Sequence, residues 1–273
     1  AYVGLGDSYL PFVEIMRLLT GDVEPLRAAG DLNGEHARRL REATPFALQA
    51  VTQNGPALID ALLSRTPLLE RAKALPDGTR WAMRVQEAAN HRPALSSPGL
   101  LHDQVSQVLQ AIARTRPLLL ILDDLQWADK ASIDLLFHLG RRLAGRRLLI
   151  LGAYRPEEVA VGRGGVVHPL AGVLCELQIL WEDLTVDLAQ TEGRAFVDAL
   201  VDREPNRLGV SFHEALYRRT GGHALFTVEL LRGLKQRGDL ARDESGLWVQ
   251  RPDLDWDILP KRVEAVIAAQ IAR

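Results

Sequence analysis

Asp123 and Asp124 are adjacent carboxylates that close the apolar run Leu118–Leu122, within the stretch LLLILDDLQWAD at residues 118–129. A short continuous apolar run ended by a polar break reads as a fully buried strand of a parallel sheet. Acids at the C-terminal tip of such a strand stand where open α/β sheets bind ligands. Mg²⁺ is a hard cation that prefers oxygen, so a carboxylate at a strand tip suits it. Asp123 would face the metal, and Asp124 would orient or deprotonate an attacking water. This is the form of a Walker B strand, whose acid helps hold the Mg²⁺ of a bound nucleotide. The same residues also read as a buried strand ending in two solvated acids. Trp127-Ala128-Asp129 follows closely, with Asp129 suited to cap the next helix.

Two further groups could join such a site. Arg155 ends the next apolar run, RRLLILGAYR, and its planar fork could meet a γ-phosphate. It could equally be a surface arginine paired with Glu157 or Glu158. TGGHALF, residues 220–226, sets Gly221 and Gly222 before a helix. Exposed N–H groups there could meet an anion, or the segment is an ordinary helix start, with His223 a local hydrogen-bond partner. The remaining chemistry is sparse. His91, His102, His138, His168 and His213 show no metal-like spacing. Cys175 has no cysteine partner and reads as a core residue rather than a nucleophile. The five tryptophans form no stacking stripe with basic neighbours and read as core or interface.

The elements that position these groups follow from periodicity. Pro11 suits a helix start, and Val13, Ile15, Met16 and Leu19 mark its inner face after a strand end and a turn at Gly4 and Gly6. Residues 31–95 are charged and helix-biased with weak periodicity, and residues 91–99 read as a linker. Leu101, Val105, Val108, Leu109 and Ile112 predict an amphipathic helix packed on a sheet. Leu135, Leu136, Leu139 and Leu143 predict a second, between the two apolar strands. Helix–strand–helix–strand argues for βαβ units and a mostly parallel sheet. The segment from Pro156 to Pro169, with Gly162, Gly164 and Gly165, reads as a mobile loop, and residues 177–184 as one more strand. Beyond it the pattern is helical: Leu188, Phe196, Val197 and Leu200; a capping box at Ser211 and Glu214; then Leu225, Val228, Leu231 and Leu234. A hairpin turning at Ser245-Gly246 follows, and a last helix begins after Pro260.

The chain has 273 residues, 47% of them hydrophobic, enough for a substantial core in two units. A net charge of −2 excludes a broad basic surface, so no direct nucleic-acid contact is expected. The single cysteine excludes an internal disulfide and fits a cytoplasmic setting. No apolar run reaches the roughly 18 residues of a membrane helix.

Taken in order, LLLILDDLQWADKASIDLL, RRLLILGAYRPEEV, HPLAGVLCEL and RRTGGHALFTVELLRGL resemble bacterial STAND-type AAA ATPase modules, with DSYLPFVEIMRLL similar to the segment after that family's first βα unit. The resemblance covers nearly the whole chain and is most specific from about residue 100 onward. It implies a P-loop NTPase-like α/β fold: a parallel sheet flanked by helices, then a helical lid and the start of a winged-helix unit. The implied domains are a partial nucleotide-binding core at 1–184, a lid at 185–240, and a hairpin with the winged-helix start at 241–273. ATP and Mg²⁺ are the implied cofactors. Asp123 and Asp124 match the Walker B acids, and Arg155 matches the sensor arginine. Residues 222–224 match the lid motif, except that Ala224 replaces the usual proline. The family's modules are nucleotide switches joined to TPR-like repeats and to DNA-binding or cyclase domains.

The phosphate loop GxxxxGK[ST] does not occur in the sequence, and GRGGVV lacks the lysine. The chain starts at Ala1 in an apolar patch and stops inside the pattern RVEAVIAAQIAR, so a piece of a longer protein is expected, with the loop upstream. On its own it should bind ATP poorly and turn it over negligibly. The rival expectation is a non-catalytic scaffold that keeps the fold.

Overall fold

The computed structural model describes residues 8–252 except 92, 94–96, 163–165, 183 and 189–192, together with residues 254 and 256. The features expected at Gly4, Gly6, Gly164, Gly165 and residues 258–273 lie outside the described residues. The chain divides into two units, Ala1–Leu184 and Thr185–Arg273, each with its own core.

The first unit opens with α1 (Leu10–Leu19), with Pro11 in its first turn, where a missing N–H costs nothing. Phe12, Met16 and Leu19 are buried, while Val13 and Ile15 are only partly so. The weakly periodic stretch forms α2 (Glu24–Ala28), α3 (Gly34–Asn54), α4 (Arg65–Lys73) and α5 (Gly78–Asn90). It buries Leu48, Val51, Leu58, Ile59, Leu63, Leu68 and Val85. Its charges mask that face in the sequence because they pair along the exposed surface, as Glu35 does with Arg39 and Arg38 with Glu42. Helix α6 (Pro98–Thr115) turns Leu101, Val105, Val108, Leu109 and Ile112 inward, as their spacing predicts, and packs on α3.

Strand β1 (Leu118–Leu122), α7 (Lys130–Gly140) and β2 (Leu148–Gly152) form a βαβ unit. The strands pair in parallel from Leu118 opposite Leu148 to Leu122 opposite Gly152. Asp129 caps α7 as expected, its Oδ1 accepting the Ser132 N–H at 3.0 Å. The sheet itself corrects the expectation of full burial. Leu120, Leu122 and Leu148 point into the core. Leu119, Ile121, Leu149 and Leu151 stay 55%, 63%, 64% and 56% exposed. The residues are apolar on both faces, as in a strand covered twice, yet among the described residues one face only is covered. Leu120→Ala is therefore expected to cost about 2–5 kcal/mol and Ile121→Ala less than about 1 kcal/mol, which urea unfolding of the two variants would compare.

Helix α8 (Pro156–Val161) stands where a loop was expected; Pro156 at its start and Glu157 and Glu158 in its first turn favour it. Residues 177–181 belong to α9 (Pro169–Trp181), not to a strand. A short apolar run reads both ways, and here a cap decides, since His168 Nδ1 accepts the Leu170 N–H at 3.2 Å. Cys175 is exposed on α9, against its expected place in the core.

The second unit holds α10 (Gly193–Asp202), α11 (Val210–Thr220) and α12 (Ala224–Arg237), then β3 (Leu240–Arg242) and β4 (Trp248–Gln250), an antiparallel hairpin as expected. The expected capping box is not formed: Gly209 occupies the cap, and Ser211 lies within α11. Leu188 precedes α10 and is exposed. On α12 the buried face is Thr227, Leu230 and Leu234, with Leu225 and Val228 at its exposed margin. Glu204 gathers the hairpin onto this core. It accepts hydrogen bonds from Lys235 Nζ (2.6 Å), Trp248 Nε1 (2.7 Å) and Arg242 (3.0 Å). The bonds from Lys235 and Trp248 pull its carboxyl down to about 2.

Candidate functional site

The acid pair sits at the C-terminal tip of β1, where the chain turns sharply. Asp123 is exposed, and its Oδ1 accepts the Asp124 N–H at 2.9 Å. Asp124 is left-handed, with φ 54° and ψ 42°. That conformation costs an ordinary L-residue roughly 1–2 kcal/mol and is best tolerated by Asp and Asn. It opens a 3₁₀ turn, Leu125–Trp127, that folds Gln126 into the protein, leaving it 3% exposed.

Gln126 joins the two sequence-predicted catalytic positions. Its Nε2 donates to Asp124 Oδ1 at 2.8 Å, and its Oε1 accepts the Arg155 N–H at 3.2 Å. The backbone extends the sheet into the same corner: Ala153 N–H donates to Leu122 O (2.8 Å) and Leu125 N–H to Ala153 O (2.9 Å). Gly152 makes room for this turn, because a Cβ there would stand 2.6 Å from Leu125 Cδ1.

The Arg155 guanidinium pairs with Glu158 at 2.9 Å. Glu158 also accepts Trp127 Nε1 at 3.2 Å, and Arg155 lies 5.9 Å from the centre of the Trp127 ring. Both partners of the ion pair are substantially exposed, so it contributes little and a stronger anion could displace it. Among the described residues, no group of three His, Cys, Asp or Glu side chains is arranged to hold a metal by itself.

Gly221, Gly222 and His223 lie in the second unit, in the turn between α11 and α12. Their N–H groups are used locally: Gly221 to Tyr217 O (2.8 Å), Gly222 to Thr220 Oγ1 (3.3 Å) and His223 to Thr220 O (2.9 Å). The Thr227 hydroxyl, buried, donates to Thr220 Oγ1 at 3.0 Å and staples the two helices together. The His223 ring stacks on Phe226, centroids 4.4 Å apart.

The pairing of Arg155 with Glu158 is the alternative its neighbours in sequence offered. Sequence reasoning missed Gln126, the bond from Trp127 to Glu158, and the pairing of two of the scattered histidines. A polar residue between Leu125 and Trp127 was the one signal for Gln126. On α6 and α7, His102 and His138 meet edge to face at 5.4 Å. The Tyr9 hydroxyl lies 3.1 Å from His102 Nε2, Asp103 Oδ1 lies 3.1 Å from His138 Nε2, and Arg142 lies 2.9 Å from His138 Nδ1. Burial lowers the pKa of both histidines. Below pH ~6.5 the unfolded chain therefore takes up protons that the folded one resists, so stability is present above that pH and is lost as pH falls through the folded values. The urea midpoint is expected to drop between pH 7.5 and 5.5, and a His102→Gln/His138→Gln variant to lose most of that slope.

The fold and site define a parallel α/β unit with acids at a strand tip. The family model of the AAA ATPase domain matches residues 15–151, from within α1 to within β2, half of the chain. The chain belongs to the AAA ATPase domain family. The matched segment includes Asp123, Asp124 and Gln126, while Arg155 and the Gly221–Gly222 turn lie beyond it. No curated protein and no solved structure matches the chain. Among the described residues no helix is long and apolar enough to cross a membrane.

Proposed function

We propose that the chain is the nucleotide-switch module of an ATP-dependent signalling or transcriptional regulator of the STAND type. The observation that carries this reading is the acid pair at the tip of β1, inside the matched family segment, with Gln126 binding Asp124 to the backbone of Arg155. Mg²⁺ is held in such sites by one or two carboxylates together with phosphate oxygens and water. Asp123 fits that demand, being exposed, with one oxygen engaged by a backbone N–H and no cation paired to it among the described residues. When bound, the ion would neutralise charge on the phosphates.

Asp124, held in orientation by Gln126, accepts a hydrogen bond from the attacking water and draws off its proton. The bond from water oxygen to the γ-phosphorus forms as the bond from that phosphorus to the β-phosphate oxygen breaks, with ADP as the leaving group. Arg155 leaves Glu158 for the γ-phosphate oxygens, where a guanidinium gains more than in an exposed carboxylate pair. Residues 185–240 are the proposed lid, and Gly221, Gly222 and His223 its proposed nucleotide-binding positions. The N–H groups of that turn are already engaged, so close backbone approach rather than N–H donation is their contribution. Residues 241–273 are assigned to the hairpin and the start of a winged-helix unit. TPR-like repeats and a DNA-binding or cyclase domain are the partners proposed in the parent protein.

The phosphates also need a lysine-bearing loop, which these residues do not contain. A strand–loop–helix unit carrying it would pack on the bare apolar face formed by Leu119, Ile121, Leu149 and Leu151. The test is ATP binding and turnover by the 273-residue chain, alone and joined at its N-terminus to such a unit from an AAA ATPase domain. Weak binding alone and Mg²⁺-dependent binding in the joined protein are expected; the same weak binding in both would refute the reading. The second reading, a scaffold without turnover, is favoured by the occupation of Arg155 by Glu158.

A further inference from the structure

At the N-terminal end of β1, away from the acid pair, the first unit holds a cavity of about 200 Å³. The buried side chains of Leu19 on α1 and Ile112 on α6 line it, and Leu40, Ala43 and Phe46 form its α3 wall. Pro45, next to Phe46 in sequence, leaves α3 without the N–H that would bond Arg41 O. The lining is apolar except for Thr115 and two arginines, Arg39 and Arg116, and contains no carboxylate.

The two arginines differ. Arg39 is neutralised by Glu35 on its own helix. Arg116 lies 5.8 Å from the centre of the Phe46 ring and has no acidic partner among the described residues. An apolar cavity with an uncompensated guanidinium at its mouth is complementary to a molecule with an apolar body and an anionic head. The size is consistent with this, since a dry apolar cavity of about 150 Å³ accepts a benzene-sized body. Arginine matches a carboxylate with two parallel hydrogen bonds.

We propose that this cavity binds a small amphiphilic carboxylate, its apolar body between α3 and α6 and its carboxylate on Arg116. The inference is independent of the nucleotide reading. It adds a ligand site at one end of β1, the strand whose other end carries Asp123 and Asp124.

Calorimetric titration of the 273-residue chain with octanoate, octanol and octylamine tests it. Octanoate is expected to bind saturably and at least about tenfold tighter than octylamine, since a hydrogen bond to a charged partner contributes about 1.5–3 kcal/mol. Arg116→Gln should weaken octanoate about tenfold and leave octanol within about twofold. Ala43→Leu should fill the cavity and remove both. Phe46→Ser, at a surface-exposed wall position, should weaken both and guards against a folding defect in Ala43→Leu. Ile121→Lys, on the bare sheet face, should leave octanoate binding unchanged. The proposal is overturned by absent saturable binding, by octylamine binding as tightly as octanoate, by full binding in Ala43→Leu and Phe46→Ser, or by loss of binding in Ile121→Lys.

Discussion

Asp124→Asn is expected to lower ATP turnover by about 100- to 1,000-fold in the chain joined to a phosphate-loop unit, with nucleotide binding changed far less. The substitution is nearly isosteric. Asn tolerates the left-handed conformation at φ 54° as Asp does, and its Oδ1 still accepts the Gln126 Nε2 hydrogen bond of 2.8 Å. What it loses is the negative charge and the basic oxygen that draw a proton from water. A large loss of rate in a folded protein therefore reports chemistry rather than collapse of the turn. Asp124→Ala would confuse the two, because it leaves the buried Gln126 amide without its acceptor, at about 1–3 kcal/mol, and adds left-handed strain. Single-turnover kinetics with matched denaturation curves separate these contributions. A rate unchanged in Asp124→Asn would remove Asp124 from the proposed mechanism.

Gly222→Val is the second substitution expected to act strongly, this time on stability. Gly222 has φ +76°, where an L side chain costs roughly 1–2 kcal/mol and a β-branched one more. A Cβ there would also stand 2.5 Å from Gly193 Cα, so the start of α10 would have to move away from the α11–α12 turn. Overpacking of that kind costs about 1–3 kcal/mol, which brings the total to about 2–5 kcal/mol. Gly221 supplies the control. It too is left-handed, at φ +59°, but a Cβ there meets nothing within 4 Å. Gly221→Ala should lose about 1–2 kcal/mol. Amide hydrogen exchange read on α10, α11 and α12 reports the difference; equal protection in Gly222→Val and Gly221→Ala would show that the close approach to Gly193 is not what requires glycine.

The parts of the fold that could be read in advance are those with a local cause. Five apolar residues before two acids specify a strand and its polar tip. The helical spacing from Leu101 to Ile112 specifies α6 and its inward face. Asp129 before Lys130 specifies a capped helix start, and Ser245-Gly246 a hairpin turn. Where two local readings compete, the misses begin. The apolar run after Leu177 suits a strand or a helix, and the cap at His168, several residues upstream, chose the helix. Ser211 and Glu214 have the spacing of a capping box, but α11 starts at Gly209, so the pair falls inside it. The charged stretch at residues 31–95 hid its buried face because its acids and arginines pair with one another on the outside of the helices.

The candidate site divides the same way. The acids and Arg155 were legible as polar residues at strand ends, and the Gly-Gly turn as the start of a helix, because each is a residue type at a recognisable place in its own element. Their connections were not. The sequence by itself determined that this chain forms a parallel α/β unit with carboxylates at a strand tip, since hydrophobic period and polar breaks act over a few residues. Tertiary structure alone decided that Gln126 ties Asp124 to Arg155, that Trp127 meets Glu158, that His102 and His138 meet, and that one face of β1 and β2 is left uncovered among the described residues. Each of these depends on groups brought together from separate elements, and the packing that sets such distances leaves no period in the chain to read.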